Sequence, residues 1–244
     1  NKVEREITES QVTHDAGDKG KFRHYMLKEI YEQPVAIQNT LDGRIANGKV
    51  LDAAFGENAA KLLPKVEHVQ IIACGTSYHA GMVSRYWFEE LADVSCNVEI
   101  ASEYRYRKSF VRPNSLLVTI SQSGETADTL AALRLAKEQG YMASLTICNV
   151  PGSSLVRESE MAYMMQAGVE IGVASTKAFT TQITLLTMIA LRLAKAKGTL
   201  STSDYKRHLV ALETSPEKIE IALKSDALAK EIAENYKNAT NFLY

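Results

Sequence analysis

Several things are scarce in this 244-residue sequence. There are three cysteines, Cys74, Cys96 and Cys148, an odd number with no metal-type spacing. That excludes a disulfide scaffold and a zinc ribbon, and it is the pattern of a reduced, cytosolic protein. The five histidines include no close pair, which points away from a metal site. Net charge is small: 28 basic against 29 acidic residues leave −1. Without a global basic field, nucleic acid is a poor partner, and the cluster Arg105, Arg107, Lys108 and Arg112 reads as a solvated turn. No signal peptide is visible. The longest charge-free apolar-rich run, Ala178–Leu191, has 14 residues including Thr and Gln. It is too short and too polar to span a bilayer, so no membrane partner is expected. Two nucleotide-binding signatures are absent as well. No Gly-x-x-x-x-Gly-Lys-Ser/Thr occurs, and no Gly-x-Gly-x-x-Gly follows a strand, which argues against a P-loop nucleotidase and a dinucleotide site.

What is present is an ordinary globular composition, 45% hydrophobic and 23% charged, long enough for one large domain or one domain with appendages. Residues 1–20 are polar and charged and read as a linker or extended arm. Residues 21–64 read as N-terminal helices. One spans 22–48, with Met26, Ile30, Ile37 and Leu41 as its buried positions and a break at Pro34, and another spans 51–64. The pattern then alternates. Strands are expected at Val69–Cys74, Asn97–Ser102, Ser115–Ile120, Met142–Val150 and Met161–Gln166. Between them lie helices at Ser77–Leu91, with Met82, Trp87, Phe88 and Leu91 turned inward, and at Ala127–Gln139, ended by Gly140. Thr176–Lys197 is a long helix, apolar on all sides and ended by Gly198, hence buried or covered by a partner. Residues 204–240 read as two further helices, and Asn241–Tyr244 reads as a strand cut off at its start. The chain begins at Asn1 without methionine, and a fragment of something longer is expected.

Alternating strands and helices imply an α/β fold, a three-layer α-β-α sandwich around a five-stranded parallel sheet with extra helices at both ends. Five strands fit the flavodoxin-like order 2-1-3-4-5, which places strands 1 and 3 side by side where the chain reverses direction. Ligands bind in the crevice at that switch point, outside the carboxyl ends of the strands. Two hydroxyl- and glycine-bearing segments fall there: Cys74-Gly75-Thr76-Ser77 and Ser121-Gln122-Ser123-Gly124-Glu125-Thr126. Glycine lets the backbone approach a ligand, and a helix N-terminus presents unpaired N–H groups to an anion. Together they suggest a cradle for a small phosphorylated ligand.

Residue by residue, a second reading stands beside each of these. Thr76 and Ser77 either donate to the ligand or cap the following helix. Ser121, Ser123 and Thr126 exceed what one cap needs and read as ligand-binding. Gln122 either bonds a ligand hydroxyl or sits idle. Glu125 reads as a first-turn carboxylate favoured by the helix dipole rather than as an acid or base. Ser175, in Gly172–Lys177, is either the N-cap of the long helix or a ligand contact. Lys177 reads as a surface charge, Cys74 as a buried small hydrophobe and His79 as a helix residue near the pocket mouth.

These segments resemble a sugar isomerase (SIS) domain. More narrowly, Cys74–Ser77, Ser121–Thr129 and Glu170–Thr180 resemble the glutamine–fructose-6-phosphate aminotransferases, also called glucosamine-6-phosphate synthases. Arg23–Met26 and Glu29–Pro34 resemble the segment that enters their isomerase half. The resemblance covers residues 15–244. It implies a linker, a first SIS domain over 65–200, helices over 201–240 leading to a second SIS domain, and the start of that domain at 241–244. It also implies that Thr76, Ser77, Ser121, Gln122, Ser123 and Thr126 bind the sugar phosphate, with the hydroxyls of the Ser121–Thr126 loop on the phosphate. Val173 and Ser175 would line the sugar end.

By the same resemblance, ammonia from glutamine condenses with open-chain fructose 6-phosphate, and the imine isomerises to give glucosamine 6-phosphate for hexosamine biosynthesis. The glutamate base, ring-opening histidine and amine lysine belong to the second SIS domain and C-terminal tail. No catalytic residue is therefore expected in this chain, which should bind without turnover. No metal or organic cofactor is implied. The implied partners are a phosphorylated hexose, a glutaminase domain, a second SIS domain and a second copy in a homodimer, with Thr176–Leu193 as a candidate buried face. Two alternatives are a stand-alone SIS-type sugar-phosphate sensor and a phosphosugar isomerase acting alone, for which Glu125 or His79 would be the nearby bases. Residues 1–64 offer no obvious helix-turn-helix with a basic face, which disfavours the sensor.

Overall fold

A computed structural model describes residues 17–56 and 58–241. Most of the arm expected over 1–20 and all but Asn241 of the strand expected over 241–244 lie outside them.

The centre is a parallel sheet of β3 (His68–Ala73), β4 (Ser95–Ile100), β5 (Ser115–Ser121), β6 (Ala143–Cys148) and β7 (Met161–Met164), in the order β4-β3-β5-β6-β7. This is the expected 2-1-3-4-5. Every residue of β5 and β6 is buried, as in a sheet covered on both faces. Alternate side chains serve two cores. Val69, Ile71, Ala73, Leu116, Val118 and Ile120 pack with Phe88 of α3 (Gly75–Ala92) and with Leu185 and Ile189 of α7 (Lys177–Lys197). Ile72 and Leu117 face the other way, onto Ala132, Leu133 and Ala136 of α5 (Ala127–Lys137). Tyr104 of α4 (Ala101–Tyr104) and Leu155 of α6 (Ser154–Glu158) complete that second core. The three layers follow from this alternation.

The helix α7 is the spine of the first core, with thirteen buried residues, and it ends at Gly198 in the left-handed region (φ +69). Against it pack α3 and α1 (Tyr25–Leu41), and α8 (Thr202–Glu213) adds Tyr205, Leu209 and Leu212.

The N-terminal region departs from expectation. Pro34 does not break α1. Its missing N–H would have bonded the carbonyl of Ile30, and the Gln33 side-chain amide donates to that oxygen instead at 2.8 Å. The buried face of α1 is Glu29, Pro34, Ala36, Ile37 and Thr40, while Met26 is exposed. The helix stops at Leu41, and a hairpin of β1 (Ile45–Ala46) and β2 (Lys49–Val50) follows. Asn47 and Gly48 both take positive φ (52° and 66°) at its turn. The helix expected over 51–64 is broken into a 3-10 turn (Asp52–Phe55), α2 (Ala59–Leu62) and a second turn (Leu63–Lys65), with Gly56 at φ +101 between the first two. The two helices expected over 204–240 are three: α8, α9 (Ser215–Leu223) and α10 (Asp226–Tyr236).

Candidate functional site

Strand register brings the two hydroxyl-bearing loops together. Ala73 pairs with Ile120, and Ser121 pairs with Cys148, so β3, β5 and β6 end on one line. Between β3 and β5 the chain changes direction along the sheet, which is where such folds open a crevice. Cys74 leaves β3 half-buried, its Sγ 3.9 Å from Thr129 Oγ1 in the first turn of α5. The first loop therefore approaches the start of α5 through the thiol, and Cys74 is not fully buried as expected.

The second loop is built from its own side chains. Ser121 Oγ lies 2.9 Å from Thr126 Oγ1 and accepts the Gly124 N–H at 3.0 Å, and Ser123 Oγ accepts the Glu125 N–H at 3.2 Å. Gly124 has φ +68, and its carbonyl accepts from Leu155 N–H. The Gln122 carbonyl accepts from the Asn149 N–H at 3.1 Å. The loop is thus tied to the turn after β6. Cys148 lies beneath it, and burial pushes its thiol pKa up, although the Ser153 hydroxyl 3.3 Å away pulls it back.

Helix N-termini differ sharply along this edge. Tyr78 is the first residue of α3 to bond back, to Cys74 O, so the N–H groups of Gly75, Thr76 and Ser77 have no intrahelical acceptor. In α5 the first is Leu130, bonded to Thr126 O, which leaves those of Ala127, Asp128 and Thr129. No acidic residue sits in the first turn of α3, and Asp128 in that of α5 is paired with Arg105 at 2.6 Å. Two further starts, those of α6 and α7, are closed by carboxylates. Glu125 Oε1 accepts the Ser154 N–H of α6 at 2.7 Å. Glu170 Oε1 accepts from Thr176 (2.9 Å) and Ala178 (3.1 Å) at the start of α7, and its Oε2 accepts from Ser175 Oγ (3.2 Å). The starts of α3 and α5 lack such a carboxylate cap. They flank the switch point and can receive an anion.

Glu125 does not serve the dipole of its own helix, which begins two residues later; it caps α6. The Ser154 backbone N–H, then its hydroxyl, hold the carboxyl of Glu125 below the usual range. Ser175 does not cap α7, because Glu170 takes that place. Lys177 is not a surface charge: it is 4% exposed and bonds Glu32 Oε2 at 2.6 Å. Val173 is fully exposed. It lies with Ser175 on the segment after β7, two strands beyond β5, and not within the cradle. Asn149 links the two regions, accepting from Ala167 N–H at 2.9 Å and donating to Gly168 O at 2.7 Å. His79 is exposed on α3, its ring edge-on to Tyr78. Sequence reasoning gave no role to Glu29, Asn149 or Glu170, although Glu29 and Glu170 lie inside the quoted segments.

Comparison with known proteins adds the relatives. The SIS domain family model matches residues 62–192. The chain is 64% identical over 244 residues to a glutamine–fructose-6-phosphate aminotransferase (isomerizing) of Shewanella oneidensis, and 60% identical over 244 residues to one of Haemophilus influenzae. In both cases it spans 40% of the relative's length. Among solved structures, the C-terminal domain of glucosamine-fructose-6-phosphate aminotransferase from Francisella tularensis superposes with a TM-score of 0.89 at 50% identity. That match covers 91% of this chain and 62% of the other. A glucosamine-6-phosphate deaminase from Thermotoga maritima shares the fold at 21% identity, with a TM-score of 0.63 over 82% of this chain and 56% of the other.

Proposed function

The chain belongs to the SIS domain family, and from that premise we propose that its switch-point crevice binds the phosphate of a phosphorylated hexose. One observation carries this reading. At the carboxyl edge of the sheet, α3 and α5 begin without a carboxylate cap, on either side of a loop whose hydroxyls cluster. The phosphate is held by Thr76, Ser77, Ser121, Ser123 and Thr126, with Gln122 at a sugar hydroxyl and Val173 and Ser175 toward the sugar end. A cradle of amides and hydroxyls suits a ligand that must also leave.

The relatives extend the proposal. The chain would be the first SIS domain, with flanking helices, of a glutamine–fructose-6-phosphate aminotransferase. The boundaries follow the organisation expected above: an arm over 1–20, helices over 21–64, the SIS domain over 65–200, and helices over 201–240 leading into a second domain. The whole enzyme would make glucosamine 6-phosphate for hexosamine biosynthesis as a cytoplasmic homodimer, with a glutaminase domain and a second SIS domain as partners. Proton transfer would lie outside this chain. The isomerase-alone reading is disfavoured by Glu125, whose carboxylate is bonded to α6 and holds its proton less tightly than an ordinary carboxyl.

Calorimetric titration with fructose 6-phosphate and glucosamine 6-phosphate tests the cradle. The double variant Ser123→Ala/Thr126→Ala removes two donors to a charged oxygen. Binding should weaken by at least about 2 kcal/mol, roughly 30-fold. Undiminished binding in the variant, or none by the parent at tens of millimolar, would overturn the assignment.

A further inference from the structure

The segment between β7 and α7 is held from an unexpected side. Glu29, on α1, lies outside the family core of 62–192. Glu29 is 2% exposed, yet its carboxylate faces backbone donors: Oε1 takes the N–H of Ile171 at 2.6 Å and of Gly172 at 2.9 Å, and Oε2 lies 3.2 Å from the Gly172 nitrogen. A buried carboxylate is retained only where its lone pairs are met, and here they are met by the loop. The fit is close. A Cβ added at Gly172 would lie 2.5 Å from Glu29 Oε2. One turn on, Glu32 bonds the buried ammonium of Lys177 at 2.6 Å and also pairs with Lys28. Two acidic residues of α1 thus grip both ends of the stretch 171–177, and Val173 and Ser175 lie between those grips.

We infer that Glu29 is a positioning residue for the sugar end of the site, fixing the backbone at 171–172 so that Val173 and Ser175 meet the hexose. This rests on the cradle reading above. It makes α1 part of the binding site and not merely an appendage. It also divides the site in two: the phosphate is held by the switch-point loops, and the hexose is read by a loop that α1 sets in place.

The test uses the full 244-residue chain, two lesions of the same contact and two probes. Glu29→Gln keeps the shape but replaces one acceptor oxygen by a donor. Gly172→Ala pushes from the other side, at a position whose φ alanine tolerates. Each is titrated with inorganic phosphate and with fructose 6-phosphate, and the amide exchange of Ile171 and Gly172 is followed. Both variants should lose protection at those amides. Fructose 6-phosphate should bind about tenfold more weakly, while inorganic phosphate stays within about twofold. Equal losses for both probes, or a lowered Tm with the affinity ratio unchanged, would reduce Glu29 to a structural role and overturn the inference. So would unchanged binding of both. A parent chain that binds both probes equally well would leave the cradle standing but remove the sugar end assigned here. A parent that binds neither would remove the cradle and, with it, this inference.

Discussion

At Gly124 the backbone takes φ +68, and a Cβ built there would lie 2.5 Å from Ser153 Cβ and 2.6 Å from Cys148 Sγ, with Ser153 Oγ closer still. Two separate costs coincide: a left-handed conformation that L-residues resist and a contact that Ser153, itself buried, cannot yield without moving. Gly124→Ala should therefore lower unfolding stability by at least about 2 kcal/mol, and hexose 6-phosphate binding should fall with it because the Ser121–Thr126 loop is displaced. Urea unfolding and a titration on the same protein check both. A variant of parental stability would mean that the loop is looser than its contacts indicate. Contrast Gly140 and Gly152, both at positive φ but with open space around them, where only the conformational cost applies.

At the scale of elements, the carboxylate caps are the devices that choose which helix starts stay open. Glu125 on α6 is the simplest to titrate. Its folded pKa is depressed by the Ser154 N–H and hydroxyl, so its stabilising effect is present above the ordinary carboxyl range and is lost as pH falls through the folded value. Exchange protection of the Ser154 amide should be flat from neutral pH down to the ordinary carboxyl range and then decline, and Glu125→Gln should abolish the decline. An unbroken decline from neutrality would contradict the cap. Elements were legible in the sequence to different degrees for physical reasons. The strands β3, β5 and β6 announce themselves as apolar runs of strand length because the sheet is covered on both sides. The turn at Asn47-Gly48 carried a recognisable hairpin signal, but the apolar spacing of the preceding helix obscured it. Continuity through Pro34 could not be read, since it depends on the Gln33 side chain reaching a particular carbonyl. The clustering of the Ser121–Thr126 hydroxyls was legible because they are neighbours in sequence; the role of Glu29 was not, because it is defined by amides 142 and 143 positions away.

Across the whole molecule, stability should be graded. The central strands β5 and β6 are buried throughout and α7 has thirteen buried residues, whereas α9 and α10 contain no buried residue. Local opening needs least free energy where few apolar contacts must break. Native-state hydrogen exchange should find α10 the fastest-exchanging helix and β5, β6 and the centre of α7 the slowest. Protection of α10 equal to that of α7 would show that Leu228 and Ile232, exposed here, are covered in solution.

The grip of α1 and of the turn after it on the far end of the domain also bears on the order of folding. Glu29 with Ile171, Glu32 with Lys177, Thr40 with the Met165 carbonyl and Arg44 with that of Met164 join residues 120 to 145 positions apart. Such closures form slowly, because the entropy of a long loop is lost before the contact rewards it. During synthesis α1 is made well before its partners at residues 164–177, so it docks only after most of the sheet has been synthesised. In the proposed site the hexose end is therefore completed after the Ser121–Thr126 loop, and a nascent chain stalled before Ile171 would carry that loop beside a first helix whose partner segment is not yet made.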